Sequence, residues 1–159
     1  MKLILLASLW LFPIATEDYV RISSPFGYSV SPMLGVRQSH RGIDIWAVRY
    51  AQIIAVADGM VIDHWPPPDS RFRGHPYYGG VIKIQHDNGL VSVYAHLSAS
   101  YVREGQYISA GQVIGRMGNT GQVVGRNGGH HLHFEIRHGE KALNPLLYIR
   151  DPEGVTHSP

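Results

Sequence analysis

VIKIQHDNGLVSVYAH, residues 81–96, is the stretch on which the fold turns. Two runs rich in β-branched residues flank Asp87-Asn88-Gly89, and an Asn-Gly pair adopts the positive φ values of a tight hairpin at little cost. The stretch therefore predicts two paired strands carrying His86 and His96. Outward from it the pattern repeats as short apolar runs broken by glycine. IIAVAD (53–58) and MVIDHW (60–65) predict a strand pair bent at Gly59, YISAGQVIGRMG (107–118) two short strands, and HLHFEIR (131–137) the last strand. The segment from Trp65 to Gly80 carries four prolines, which a central strand does not tolerate, and is expected to be a surface loop. SSPFGYSVSP, from Ser23, is a turn-rich lead-in, and a short turn is expected near Pro145 to Tyr148. Glycine is 18 of 159 residues, about 11% against a usual value of about 7%, and no helical periodicity of comparable strength occurs. The expected fold is mainly β: an antiparallel β sandwich or flattened barrel with long surface loops.

Composition narrows the chemistry. Fourteen Lys and Arg against 12 Asp and Glu give a formal net charge of +2, and the basic residues are dispersed, which argues against a nucleic-acid partner. Cysteine is absent, so a disulfide framework and a thiolate metal site are both excluded. Any metal would need imidazole and carboxylate ligands, for which 10 histidines are available. At the N-terminus Lys2 precedes an uncharged apolar run from Leu3 to Ile14 and then Ala15, the pattern of a secretory signal peptide over residues 1–16, with one domain over 17–159. The run falls short of the roughly 20 residues of a membrane-spanning helix, so export to the periplasm or cell exterior is expected without a permanent anchor. The competing reading of the run is a buried N-terminal strand or helix.

Two patterns carry the chemistry: His40-Arg41-Gly42-Ile43-Asp44 and His131-Leu132-His133. On a strand, residues two apart share a face, so Leu132, Phe134 and Ile136 pack one way while His131, His133 and Glu135 point the other. A catalytic zinc site commonly takes three nitrogen or oxygen ligands and leaves a fourth position open to water, and His40, Asp44 and His133 would make such a set. His96 and His131 fit the roles of proton acceptor, oxyanion partner or proton donor. Either string alone is weak, and a closed metal site or a hydrogen-bonded histidine cluster would also account for both. Spacing does not by itself separate ligand from catalytic histidine.

SPFG, HRGIDI, ADGMV, HDNGLVSVYAHLS, VREGQYISAGQVIGRMGNTG, HLHFEI and NPLLYI occur in an order that resembles the lysostaphin and LytM family of zinc metallopeptidases. The resemblance covers nearly everything after the expected leader. It implies the duplicated hybrid motif fold and one Zn²⁺ per chain held by His40, Asp44 and His133. It further implies His96 and His131 as the catalytic pair, peptidoglycan as partner, a monomer, and hydrolysis of peptide bonds in cross-links or stem peptides. The family also contains non-catalytic wall-binding or regulatory modules that have lost ligands, and the filled positions here argue against that alternative. A phosphohistidine carrier, whose fold is related, fits an exported chain with an aspartate ligand poorly. QVVGRNGGH (122–130) departs from the family's short link before HxH and puts substrate contacts in question; His130 at its end is expected to point away. His86 is read as either a partner of a ligand or a structural residue, and Glu135 as either an orienting group or half of a surface ion pair. His64, His75, His138 and His157 are expected to be solvated. The choice between glycyl-glycine and D-alanyl cross-links, and between host remodelling and viral lysis or entry, lies outside these motifs.

Overall fold

The computed structural model describes residues 10–30, 35–69, 73–123, 129–150 and 152. Its strands are β1 Tyr19–Ser24, β2 Gly27–Val30, β3 Arg37–His40, β4 Ile43–Ala47, β5 Gln52–Ile54 and β6 Gly59–Trp65, followed by β7 Gly80–Gln85, β8 Leu90–Ser100, β9 Tyr107–Ile108, β10 Val113–Met117, β11 Leu132–His138 and β12 Lys141–Leu143. Ten belong to one antiparallel sheet in the order β1-β4-β11-β8-β7-β6-β9, with β10 joining β5 to β8 and β12 flanking β11; β2 and β3 form a separate ribbon. The mainly β, antiparallel expectation holds, and the strand path stays open rather than closing into a barrel.

Alternation along the strands makes the core. Ile43 and Ile45 of β4, Ile82 and Ile84 of β7, Tyr94 and Leu97 of β8, Ile114 of β10, and Leu132, Phe134 and Ile136 of β11 meet in one apolar cluster, so the sheet wraps over it. The opposite face of β7 and β8 buries a smaller cluster of Val81, Val93 and Ala95. The hairpin expected at Asn88-Gly89 joins β7 to β8, with Gly89 at φ +80° and Gln85 opposite Val91. His86 sits just past the end of β7, where its N–H donates to Leu90 O at 2.9 Å.

Two expectations need correction. β5 and β6 do not pair with each other: β5 pairs with β10, and β6 with β7 and β9. The glycine at 59 answers to crowding, since a Cβ there would lie 2.4 Å from Gln85 O and 2.7 Å from Ile84 Cγ2. HLHFEIR is not the last strand either, because β12 folds back on β11 with Ile136 opposite Leu143. The expected turn near 145 is a 3-10 turn, Pro145–Leu147, capped by Asn144, whose side chain accepts from Leu146 N.

Before β1 the chain forms a strap across the core. Trp10 N–H donates to Tyr148 O (2.8 Å), Leu11 N–H to Val56 O (2.9 Å), Arg150 N–H to Trp10 O (2.8 Å) and Ile54 N–H to Pro13 O (3.0 Å). Phe12 and Ile14 are 6% and 1% exposed within the main cluster, and the Trp10 ring lies 4.4 Å from that of His86. The leader expected over 1–16 thus overlaps the strap, while residues 1–9 lie outside the described residues.

Candidate metal centre

The site is set by where β11 lies. It runs between β4 and β8, with His133 opposite Asp44 on one side and opposite Ala95 on the other. His40 ends β3, and Arg41-Gly42 turn the chain into β4 close against β11. Gly42 is required there: a Cβ would lie 2.3 Å from Phe134 O and 2.9 Å from Glu135 Cγ.

Three donor atoms converge. His40 Nε2 is 3.1 Å from Asp44 Oδ1 and 3.2 Å from His133 Nδ1, and His133 Nδ1 is 2.8 Å from Asp44 Oδ1. Ligands about 2.0–2.1 Å from a tetrahedral zinc stand about 3.3 Å from one another, so this triangle is the right size and chemistry for the ion. The far nitrogens fix which atoms face inward. His40 Nδ1–H donates to Pro25 O at 2.7 Å, and His133 Nε2–H donates to Glu135 Oε1 at 2.9 Å, leaving His40 Nε2 and His133 Nδ1 as the atoms that could hold a metal ion. Burial would lower the His133 pKa, but hydrogen bonds to Asp44 and Glu135 outweigh it and raise it to about 9. Burial would raise the Asp44 carboxyl, and hydrogen bonds from His133 and His40 instead hold it well below the carboxylate range.

His96 reaches the same cluster by an irregularity. Tyr94 and Leu97 both enter the core although they are three positions apart, so one residue is inserted between them. The register steps from Ile82 opposite Tyr94 to Gly80 opposite Leu97, and His96 takes φ +63°. Such a bulge re-aims a side chain, here at a backbone cost of about 1–2 kcal/mol for a left-handed non-glycine residue. Plain alternation would have put His96 on the core side with Tyr94. Its Nδ1–H donates to Thr120 O at 2.8 Å, leaving Nε2 as an acceptor. Burial, with the like charges of His131 and His133, lowers its pKa to about 3, so the ring is neutral near pH 7. His131 Nδ1–H likewise donates to Gly129 O (2.8 Å), with Nε2 3.6 Å from Asp44 Oδ1 and its pKa lowered by burial. The His96 and His131 rings are 4.8 Å apart. All five residues singled out from sequence therefore lie in one cluster.

Sequence reasoning missed Tyr78. It lies in the Pro-rich loop, stacks on His133 at 5.8 Å, donates its hydroxyl to Glu135 Oε1 (2.7 Å), and offers its carbonyl to His96 N–H (2.8 Å). The YYGG string was the only cue, because loop composition does not say what a loop covers. His75, expected to be solvated, accepts the N–H groups of Tyr77 and Tyr78 and so shapes that loop. His64 lies within β6, and its Nε2 is buried with no hydrogen-bond partner among the described residues; His138 ends β11; His157 lies outside the described residues. His86 is structural, bonded to Asp58 O and Ser92 Oγ at the far end of the hairpin. His130 Nε2 accepts from Arg49, turned away from the three donors as expected. Residues 124–128 of the loop before it lie outside the described residues.

Residues 38–145 match the model of peptidase family M23. Over 136 residues, 85% of this chain and 28% of the relative, the chain is 40% identical to the DD-carboxypeptidase/endopeptidase Mpg of Neisseria meningitidis serogroup B. Over 110 residues, 69% of this chain and 26% of the relative, it is 42% identical to the murein hydrolase activator NlpD of Escherichia coli. The chain thus spans less than a third of these relatives' lengths. A zinc-containing peptidase from Vibrio cholerae superposes with a TM-score of 0.71 at 28% identity, over 87% of this chain and 40% of that one.

Proposed function

The chain belongs to peptidase family M23, and on that footing we propose that it is a zinc-dependent endopeptidase hydrolysing peptide bonds of bacterial peptidoglycan, in cross-links or stem peptides. The observation that carries the reading is the triangle of His40 Nε2, Asp44 Oδ1 and His133 Nδ1 beside two further histidines whose Nε2 atoms are free to accept. His40, Asp44 and His133 would hold one ion. Zinc bound there supplies polarisation of a scissile carbonyl and acidification of a water near neutral pH. The chain's own part is proton traffic. The Thr120 and Gly129 carbonyls hold His96 and His131 with unprotonated Nε2 atoms, so between them they take a proton from the attacking water and return it to the leaving amine. One chain supplies every residue of the site, consistent with action as a monomer.

The likeness to an enzyme named for DD-carboxypeptidase and endopeptidase activity supports a cross-link substrate. Peptidoglycan lies outside the cytoplasmic membrane, and Lys2 with the apolar residues Leu3 to Leu9, ahead of the strap, supports export. In this reading the working domain starts no later than Trp10. Among the described residues no helix is long and apolar enough to cross a membrane.

The likeness to a murein hydrolase activator favours a second reading, a regulatory module that binds wall material or another hydrolase. Purified sacculi separate the two. Zinc-dependent release of soluble muropeptides by the wild type and its loss in His96→Ala is the expected result. Equal release by both proteins would defeat the enzymatic reading, and zinc-loaded binding without release would favour the module. Mass spectra of digests from walls of both cross-link types then identify the bond.

A further inference from the structure

Glu135 is completely buried, on the β11 face that carries His133 two residues earlier. An acidic side chain with no exposure is not half of a surface ion pair. Uncompensated, its charge would be costly to bury. Three donors surround it: His133 Nε2–H at 2.9 Å, the Tyr78 hydroxyl at 2.7 Å, and the Arg137 guanidinium through Nε. Arg137 also reaches the Tyr78 oxygen at 3.0 Å, which closes the set. Gly42 backs onto Glu135 Cγ so closely that a Cβ there would lie 2.9 Å away, so the carboxylate has little room to swing from His133.

We propose that Glu135 is a positioning residue for the metal centre, its carboxylate holding His133 with the proton on Nε2 so that the Nδ1 lone pair faces His40 and Asp44. A carboxylate only accepts, and it therefore selects one of the two ring tautomers. Arg137 and Tyr78 hold the carboxylate in turn, so a tyrosine from the Pro-rich loop and an arginine from the strand serve the ion without touching it. The inference rests on the zinc reading above. Glutamine at 135 keeps the shape but meets a ring of donors with an NH₂: with its oxygen on His133 and Tyr78, which share Oε1, the NH₂ faces Arg137 at Oε2, and with the amide turned the other way His133 loses its acceptor. In either orientation a neutral amide holds the His133 proton less strongly than a carboxylate does.

The test is the zinc dissociation constant of full-length wild type and Glu135→Gln, measured by chelator competition well below the unfolding temperature of either, with melting of the chelated proteins in parallel. Loss of an orienting partner of a ligand histidine weakens metal binding by about 10–100-fold, and that shift is expected in Glu135→Gln. A purely structural role would lower the melting temperature and leave the zinc constant within about twofold of wild type, since an orienting partner is worth at least about tenfold, and that result would overturn the proposal. Should Glu135→Gln fail to fold, ¹⁵N spectra of zinc-loaded wild type decide. A slowly exchanging proton on His133 Nε2 with the metal on Nδ1 supports the proposal, and metal on Nε2 overturns it. A wild type that binds no zinc brings down the functional reading itself.

Discussion

Ile14 is 1% exposed and bridges to Ile53 in the main core, although it lies inside the apolar run that sequence alone assigns to a leader. Replacing a buried isoleucine with alanine costs about 2–5 kcal/mol, and each kcal/mol moves the melting temperature of a domain this size by about 2–4 °C. Ile14→Ala should therefore melt about 4–20 °C below wild type. A chain starting at Glu17 gives up Phe12 and the four strap hydrogen bonds as well. Against a total stability of about 5–15 kcal/mol, it should be at best marginally folded. Val20→Ala, at a position 46% exposed, is the control and should change stability by no more than about 0.5 kcal/mol. Melting is followed by circular dichroism with chelator present, so that bound metal does not mask the loss. A chain starting at Glu17 that melts cooperatively at the full-length temperature would refute the strap's role and put the domain boundary back near residue 16.

Gly42→Ala must push the turn off β11, because its Cβ would meet Phe134 O at 2.3 Å; a loss of about 1–3 kcal/mol in melting and weaker zinc binding by chelator competition are expected. Tyr94→Phe leaves Val56 N–H, which donates to the buried Tyr94 hydroxyl, without its acceptor, and should cost about 1–3 kcal/mol in a urea titration. In metal-free protein His133 titrates near 9 folded against 6.5 as a free side chain, so its stabilising contribution is complete below pH 6.5 and is lost as pH rises through 9. His96, lowered to about 3, acts oppositely: the unfolded chain takes up a proton that the folded ring refuses, so stability is also lost as pH falls from 6.5 toward 3. With chelator present the melting temperature should peak near pH 6.5, and one still rising from pH 7 to 9 would contradict this. Zinc affinity should increase over pH 7 to 9 with release of about one proton per ion, read by calorimetry in buffers of different ionisation enthalpy.

What could be read from the sequence was local. The turn at Asn88-Gly89 and the alternation of HLHFEI depend on neighbours within a few positions, and both are realised, which places His133 and Glu135 on one face and Phe134 on the other. That His40, Asp44 and His133 meet is visible in the motifs, but the reason they meet, β11 lying between β4 and β8, is a pairing across some ninety residues that no local pattern encodes. β12 spans only Lys141–Leu143, too few residues for periodicity to register. The run ending at Ile14 was ambiguous for a deeper reason: targeting sequences and core strands select the same side chains. Tyr78 escaped because its importance lies in whom it touches, and Glu135, placed beside His133 by alternation, could not be told from half of a surface ion pair until its burial was known.

The extra residue between Tyr94 and Leu97 keeps durability and reactivity in separate hands. Omit His96 itself and plain alternation still seats Tyr94 and Leu97 in the interior, while the imidazole that would ferry protons is gone. On the proposed function, a chain that keeps its interior and its metal triangle but has lost its proton carrier is thus a single in-frame deletion away.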